Sequence, residues 1–190
     1  MVTVHHKTNV SVEELRKRLV EMSKIRVMVG ITADDTERKE EGINNASLLY
    51  IQTHGARRKS MREEMQQKMD EGYKYSEAFS MYIHSHGSPL WQIPPRPVLE
   101  PAIKDCKDKI ATRLTKAFKA AIQGDTAGVI KGFDSAGLYA AKHSIDWFQN
   151  PKNHWPPNAP STLRQKKSTV PLIDTGELMK SIKHTIRRVK

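Results

Sequence analysis

The segment Leu172-Ile173-Asp174-Thr175-Gly176 is the strongest candidate in the chain for catalytic chemistry. Two apolar residues followed by Asp-Thr-Gly resemble the active-site loop of aspartic proteases, in which two carboxylates share one proton. Only 14 residues follow Gly176, too few for the strands that such a fold requires. A helix start with Asp174 as its N-cap and Glu177 three positions on explains the same residues. We therefore predict a structural turn here and no catalytic residue.

Histidines and the single cysteine are the other residues that could do chemistry. On a strand, His84 and His86 would present both imidazoles on one face, and His54 could add a third metal ligand. No carboxylate stands at a diagnostic spacing, and neither a His-Glu-x-x-His pattern nor a phosphate-binding glycine loop occurs. Cys106 falls on an apolar position of a predicted helix, which favours a small core residue over a nucleophile. We expect no metal and no cofactor.

Positive charge is concentrated in the second half of the chain. Residues 1–95 hold 14 lysines and arginines against 13 acidic residues, a net charge of +1, whereas residues 96–190 hold 18 against 8, a net charge of +10. Short basic clusters stand at Arg57-Arg58-Lys59 and at 187–190, without a zinc-finger or RNA-binding signature. The charge indicates either a surface for phosphate groups or acidic partners, or a solvated basic surface.

Hydrophobic periodicity predicts an α+β fold in which two or three strands lie against two long helices. A capping box at Ser11 begins a helix over 12–23, and alternating apolar residues predict a strand over 24–31. Apolar residues at helical spacing predict a long helix from Leu99 to Ile122 and a second one over 126–148. The β-prone tail at 182–189 supplies another strand. No apolar run is long enough for a transmembrane helix, and the N-terminus lacks the apolar stretch of a secretory signal.

A helical insertion is predicted at about residues 57–89, after a short helix that ends near Gly55. Its two helices, at 60–70 and 74–83, are separated at Gly72. Met61, Met65 and Met69 recur at a four-residue spacing. They form either an adaptable contact for a neighbouring subunit or ordinary packing within the chain, and on so polar a segment we favour the first. The candidate intersubunit contacts are Arg57, Arg58, Lys59, Met61, Met65 and Met69.

Several segments, in the same order along the chain, resemble signatures of tailed-bacteriophage neck and tail-completion proteins, also described as virion morphogenesis or minor tail components. Residues 93–102, IPPRPVLEPA, resemble the family's IPxRPFLxPA, and residues 171–182, PLIDTGELMKSI, are similar to its PLxDTGxLxxSI. Residues 156–167 match the proline-rich approach to that second motif. Residues 27–31 and 46–55 resemble the first strand and the segment after it. The departures are Thr53-His54, Val98 and the longer insertion.

The resemblance implies a non-enzymatic α+β subunit in which an antiparallel sheet packs on two long helices. Such subunits form a ring, typically a hexamer, between the head connector and the tail tube. Such a subunit is assembled in the bacterial cytoplasm and resides in the virion neck, with itself, the connector and the tail tube or terminator as partners and with DNA in the lumen. The alternatives are a tail terminator ring that caps the tube and a non-specific DNA-binding or assembly factor. The motif residues with an expected structural role are Gly30, Gly55, Pro94, Pro95, Arg96, Pro97, Pro101, Pro171, Asp174, Thr175, Gly176, Leu178 and Ser181.

Overall fold

The computed structural model describes residues 10–32, 43–55, 59–86 and 93–189. This part of the chain is mostly helical, with one two-stranded antiparallel sheet, and the coarse α+β prediction is confirmed. The elements in chain order are α1 (Val12–Ser23), β1 (Ile25–Ile31), α2 (Asn45–His54), α3 (Lys59–Asp70), α4 (Tyr75–His86), α5 (Leu99–Gln123), α6 (Thr126–Asp146), α7 (Pro160–Gln165), α8 (Glu177–Lys180) and β2 (Ile182–Arg188). None of the helices described is both long and apolar enough to cross a membrane.

The chain forms two compact units, each assembled from separate stretches of sequence. The first unit comprises residues 1–36, 99–147 and 179–190, and the second comprises residues 37–98 and 148–178. The sheet, α1, α5 and α6 belong to the first unit. The helices α2, α3, α4 and α7 belong to the second.

In the first unit the two predicted strands pair with each other and cover α6. Ile25 lies opposite Arg188 and Ile31 lies opposite Ile182 in an antiparallel ladder. The inward-facing residues include Val27 and Ile186, which are opposite each other and pack against the core formed by α5 and α6. Because side chains alternate along a strand, the residues between them point to the other face of the sheet.

Small residues let α5 and α6 approach each other closely. Ala117 and Ala121 of α5 are buried against Val129 and Phe133 of α6. A Cβ built on Gly132 would lie 2.6 Å from the Cβ of Ala117, so a glycine is needed at this point of the contact. Further along α6, a Cβ on Gly137 would lie 2.5 Å from His184 Cδ2. Small residues therefore set the distance between α5 and α6 and the distance between α6 and the sheet.

The helix starts of the first unit follow the predicted capping chemistry in part. Ser11 Oγ accepts a hydrogen bond from the Glu14 amide at 3.1 Å, as predicted. The Glu14 carboxylate does not reach back to the cap, as a complete capping box would require, but accepts from Arg18 Nη2 at 2.6 Å. Arg18 also donates to the carbonyl of Ile122 at 2.9 Å and so ties α1 to the end of α5. Asp125 caps α6 by accepting from the Gly128 amide at 2.8 Å.

In the second unit, α3 and α4 form the predicted helical hairpin with a core of its own. Met61 and Met65 are 0% and 1% exposed and pack with Ala78 and Tyr82 of α4, and Met69 packs at the edge of this cluster. The prediction that these methionines contact a neighbouring subunit is therefore wrong for Met61 and Met65, because their side chains are already covered by α4. The alternative interpretation, packing within the chain, is correct.

Two boundaries differ from the sequence prediction. The helix α4 continues to His86, so His84 lies on a helix and not on a strand, and the imidazoles of a strand face are not available as metal ligands. The helix α8 begins at Glu177, three residues after Asp174, whose carboxylate makes a different hydrogen bond, described below.

Candidate functional site

Arg96 joins two proline-rich segments of the second unit. Its side chain is 7% exposed. Its Nε and Nη2 donate to the carbonyl of Pro156 at 3.1 and 2.9 Å, and Nη2 also donates to the carbonyl of Pro157 at 3.0 Å. Prolines on both sides of Arg96 fix the direction of the backbone, so the planar guanidinium is presented in a defined orientation. We name the contact of Arg96 with Pro156 and Pro157 the arginine clasp.

The electrostatic surroundings of the clasp are positive. Burial lowers the pKa of Arg96, since a charged group loses hydration there. Lys166 donates to the carbonyl of Val170 at 3.1 Å, and its pKa is lowered by burial first and by the charge of Arg96 in addition, whereas Asp174 opposes the shift. Backbone carbonyls thus accept hydrogen bonds from both cations.

Further hydrogen bonds hold the same segments in place. Trp155 Nε1 donates to the carbonyl of Pro97 at 3.2 Å, and the Trp155 ring meets Phe148 edge-on at 5.9 Å. The amide of Arg96 donates to the carbonyl of Gln52 at the end of α2. Gly55 has a φ of 74°, and a Cβ there would lie 2.6 Å from the carbonyl oxygen of Ile93. The motif residues Gly55, Arg96 and Pro97 are therefore parts of one internally bonded structure.

The Asp174 turn is held by its own hydrogen bonds. Asp174 Oδ1 accepts from the Lys167 amide at 3.3 Å, and Thr175 Oγ1 accepts from the Glu177 amide at 3.4 Å. The prediction that Asp174 caps the following helix is wrong, because Gly176, with a φ of 80°, separates the turn from α8 and Thr175 bonds the Glu177 amide instead. Leu172, with a φ of 62°, gives the turn a second left-handed position.

The remaining motif residues have local structural roles. Leu178 is buried in the second unit and Ser181 in the first. Pro101 lies in the first turn of α5, where its missing N–H leaves no helical hydrogen bond unmade. Gly30 of the first unit has Leu99 of α5 close to its open side. Pro94 and Pro95 precede Arg96 in extended backbone, and Pro171 begins the turn toward Asp174.

The predicted intersubunit cations are only partly placed. Arg57 and Arg58 lie outside the described residues, and Lys59 is the first residue of α3. Their contact with a neighbouring subunit stays a prediction.

Titratable side chains of the first unit pair within the chain. His184 Nε2 lies 2.8 Å from Asp134 Oδ1, and His143 Nε2 lies 3.1 Å from Asp105 Oδ2. Among the residues that the structure describes, no group of three or more His, Cys, Asp or Glu side chains could hold a metal ion.

A cleft of about 520 Å³ in the first unit is bordered by α1, the turn between α5 and α6, and the end of β2. Two of its three cations are already bonded inside the unit. Arg18 contacts Glu14 and the Ile122 carbonyl, and Arg188 pairs with Glu21. The pKa of Glu21 is lowered by its hydrogen bond to Lys24 and by the neighbouring Arg188. This cleft therefore offers little free charge to a ligand.

The outer face of the sheet carries a basic surface that the sequence analysis missed. Arg26 lies directly opposite Arg187, Met28 opposite Thr185 and Gly30 opposite Lys183. Both arginines and Lys183 are exposed. In the sequence, Arg187 is recognisable only as part of a basic terminal cluster, because its pairing with Arg26 depends on a register between strands more than 150 residues apart. The alternation of polar residues in both strands was the available signal.

The comparisons with known proteins give no relative: no family model, no curated protein and no solved structure matches this chain.

Proposed function

We propose that this chain is a structural, non-enzymatic subunit of a tailed-bacteriophage neck, which assembles as a ring between the head connector and the tail tube. The arginine clasp is the observation that carries the proposal. Three of the segments that resemble the neck family, at 46–55, 93–102 and 156–167, are hydrogen-bonded to one another through Arg96. The motif residues are thus used to fix backbone shape.

A subunit of a closed ring must present the same loop shape at every interface. Cyclic symmetry repeats each contact around the ring, so a small error in loop geometry is repeated as well. Loops that are ordered before assembly also lose less conformational entropy on binding. The proline segments at 93–97 and 156–157, connected by a buried guanidinium, meet this requirement without a chemical step.

The arrangement of Asp174 supports the same conclusion. In an aspartic protease the corresponding carboxylate would face a second one across the active site. Here its oxygen accepts the Lys167 amide and its charge acts on Lys166. The residue stabilises a turn within one of the family motifs, and Asp174→Asn should leave the fold nearly unchanged.

The coarse fold is compatible with the proposal. An antiparallel sheet packs on α6, and α5 packs beside it, as the family resemblance implies. A tail terminator is built on the same general plan, so the position of the ring in the particle must separate the two functions.

The test is a cryo-EM reconstruction of the neck of the phage particle that contains this chain, at a resolution that shows side chains. Density for the chain as a ring between connector and tail tube is the expected result. A ring seated only on the last layer of the tube would replace the proposal with the terminator function. Absence of the chain from purified particles, checked by mass spectrometry of the same preparation, would refute a virion role.

A further inference from the structure

The outer face of the two-stranded sheet is a continuous basic surface, which we call the basic ribbon. It consists of Arg26, Met28, Lys183, Thr185 and Arg187. The opposite face is covered by α6, where Val27 and His184 lie against Gly137. Neither strand contains an acidic residue. The ribbon is therefore exposed on one side only, and the charged residues that the two strands place on that side are all basic.

The pairing of Arg26 with Arg187 is unfavourable for an isolated fold. Directly opposed residues of antiparallel strands have Cβ atoms about 5 Å apart, and like charges at that distance destabilise the pair. Within the described part of the chain, neither arginine forms an ion pair. Glu21 is the acidic group at the end of the ribbon, and it is bonded to both Lys24 and Arg188. An external anion is the partner that would relieve the repulsion.

We propose that the basic ribbon binds the phosphate backbone of double-stranded DNA without reading its sequence. A two-stranded antiparallel ribbon fits the major groove of B-DNA, which is about 12 Å wide. Arg26 and Arg187 lie directly opposite each other on the exposed face of the ribbon, so both guanidinium groups are on the side that would meet the DNA. Arginine and lysine are the residues that neutralise phosphates, and each such contact releases counterions.

An acidic protein fits this surface less well than DNA. A stable protein interface usually covers about 800 Å² of each partner and has an apolar centre from which charged residues are depleted. The ribbon offers Met28 as its only large apolar side chain, 50% exposed between the charged residues. Binding would thus depend almost entirely on charge, which is the regime of non-specific DNA binding.

The inference is independent of the proposed neck function. It uses only residues of the ribbon, whereas the proposal of a neck subunit depends on the arginine clasp in the other unit. DNA binding by the purified chain and the position of the chain in a particle are separate measurements, so either can fail without the other.

The experiment is a fluorescence anisotropy titration of the full chain into a labelled 30-base-pair duplex of mixed sequence, repeated between about 50 and 200 mM salt. The wild type should bind, with an affinity that falls steeply as salt rises. The variant Arg26→Gln/Arg187→Gln should bind roughly tenfold or more weakly at the lowest salt. The slope of log affinity against log salt concentration should be smaller in magnitude by about 1.8 for this variant, since each lost phosphate contact reduces the slope by about 0.9.

The matched control is Lys119→Gln/Lys131→Gln, which removes the same charge from exposed positions of α5 and α6. It should retain most of the affinity, and Arg26→Lys/Arg187→Lys should retain nearly all of it. Circular dichroism should show that the glutamine variant melts no lower than the wild type, because a repulsion has been removed. The inference is refuted if the wild type does not bind at 50 mM salt, if both glutamine variants lose affinity equally, or if polyglutamate competes as well as DNA of equal charge.

Discussion

Arg96 is a buried cation that bonds to carbonyl oxygens instead of a carboxylate. Removing a charged group from water is costly, and the hydrogen bonds that it makes in exchange must be well aligned to compensate. Three donor–acceptor contacts to Pro156 and Pro157, all between 2.9 and 3.1 Å, satisfy that condition. A side chain with a different donor geometry would not satisfy both carbonyls.

Replacing Arg96 by lysine should therefore lower the free energy of unfolding by about 1–3 kcal/mol, although the charge is kept, since an ammonium group cannot donate in a planar fork. Urea unfolding followed by circular dichroism measures the change. Arg164→Lys, at an exposed position of α7, is the control and should stay within about 0.5 kcal/mol of the wild type. An equal effect of both substitutions would show that the clasp contributes nothing.

Cys106 provides a chemical probe of α5. Its thiol is 3% exposed, and burial, with a smaller contribution from the nearby Asp105 carboxylate, raises its pKa. A raised pKa keeps the thiol protonated at pH 8, and only the thiolate reacts.

We expect Ellman's reagent to label the folded chain on the order of a hundredfold more slowly than the urea-unfolded chain, because reaction requires α5 to open locally. When the labelling rate is measured across a pH series, the pH at the midpoint of its rise should be higher for the folded chain than for the unfolded chain. Equal rates in the two states would contradict the burial of this residue.

At the scale of elements, the distance between α5 and α6 is set by glycine and alanine. Gly132 faces the backbone of Ala117, whose nitrogen and Cα would both lie 2.8 Å from an added Cβ. Backbone atoms cannot rotate away as a flexible side chain can. Relief of the clash would require the two helices to move apart.

Gly132→Ala tests this spacing. Overpacking should lower the free energy of unfolding by about 1–3 kcal/mol, whereas the better helix propensity of alanine should raise it by only about 0.5–1 kcal/mol. A net destabilisation of about 1–2 kcal/mol is therefore expected. Thermal unfolding measures it. Ser135→Ala, exposed on the same helix, should be neutral or slightly stabilising by propensity alone. A Gly132→Ala variant as stable as that control would mean that the contact between α5 and α6 accommodates a methyl group at position 132.

Local sequence patterns predicted the elements better than their contacts. The bounds of α1 agree with the prediction over 12–23, and both long helices and both strands were found, because caps and periodicity are encoded within each segment. Burial of Met61 and Met65 within the chain was the less favoured of two interpretations, because it depends on packing against α4 that the spacing within α3 does not encode. The cap assigned to Asp174 failed because two left-handed residues in the turn move the helix start to Glu177.

The functional surfaces were predictable to different degrees. Arg96 was one of the motif residues that the family resemblance named, but its acceptors, Pro156 and Pro157, could not be inferred from the pattern. The basic ribbon requires the register that places Arg26 opposite Arg187, and a shift of one residue would move either side chain to the other face. Long-range pairing is thus the information that the local patterns lack.

At the scale of the whole molecule, the first unit is made of three separate stretches of chain. Its sheet exists only when β1, from the first stretch, pairs with β2, from the last. Ile182 is buried and Ile186 packs on the core of α5 and α6, so β2 supplies apolar contacts as well as ladder hydrogen bonds.

A chain shortened to end at Lys180 should therefore lose the cooperative unfolding of the first unit, because β1 has no partner and Val27 and Phe133 are uncovered. Amide NMR spectra of the full and shortened chains would show the loss as collapsed dispersion for residues of β1, α5 and α6. Adding a synthetic peptide of residues 179–190 should restore the dispersed spectrum. A shortened chain with an unchanged spectrum would show that the sheet is dispensable.

The pairing of β1 with β2 also governs when the molecule can be completed in a cell. Ile31 and its partner Ile182 are separated by 151 positions, which a ribosome translates in roughly 8 to 30 s at about 5–20 residues per second. Throughout that interval β1 lacks its strand partner, and the hydrogen-bonding edge that faces β2 is unsatisfied. A nascent chain in which β1 stays unpaired for so long is a substrate for chaperones. The yield of folded protein should therefore depend on the speed of translation across the codons between β1 and β2.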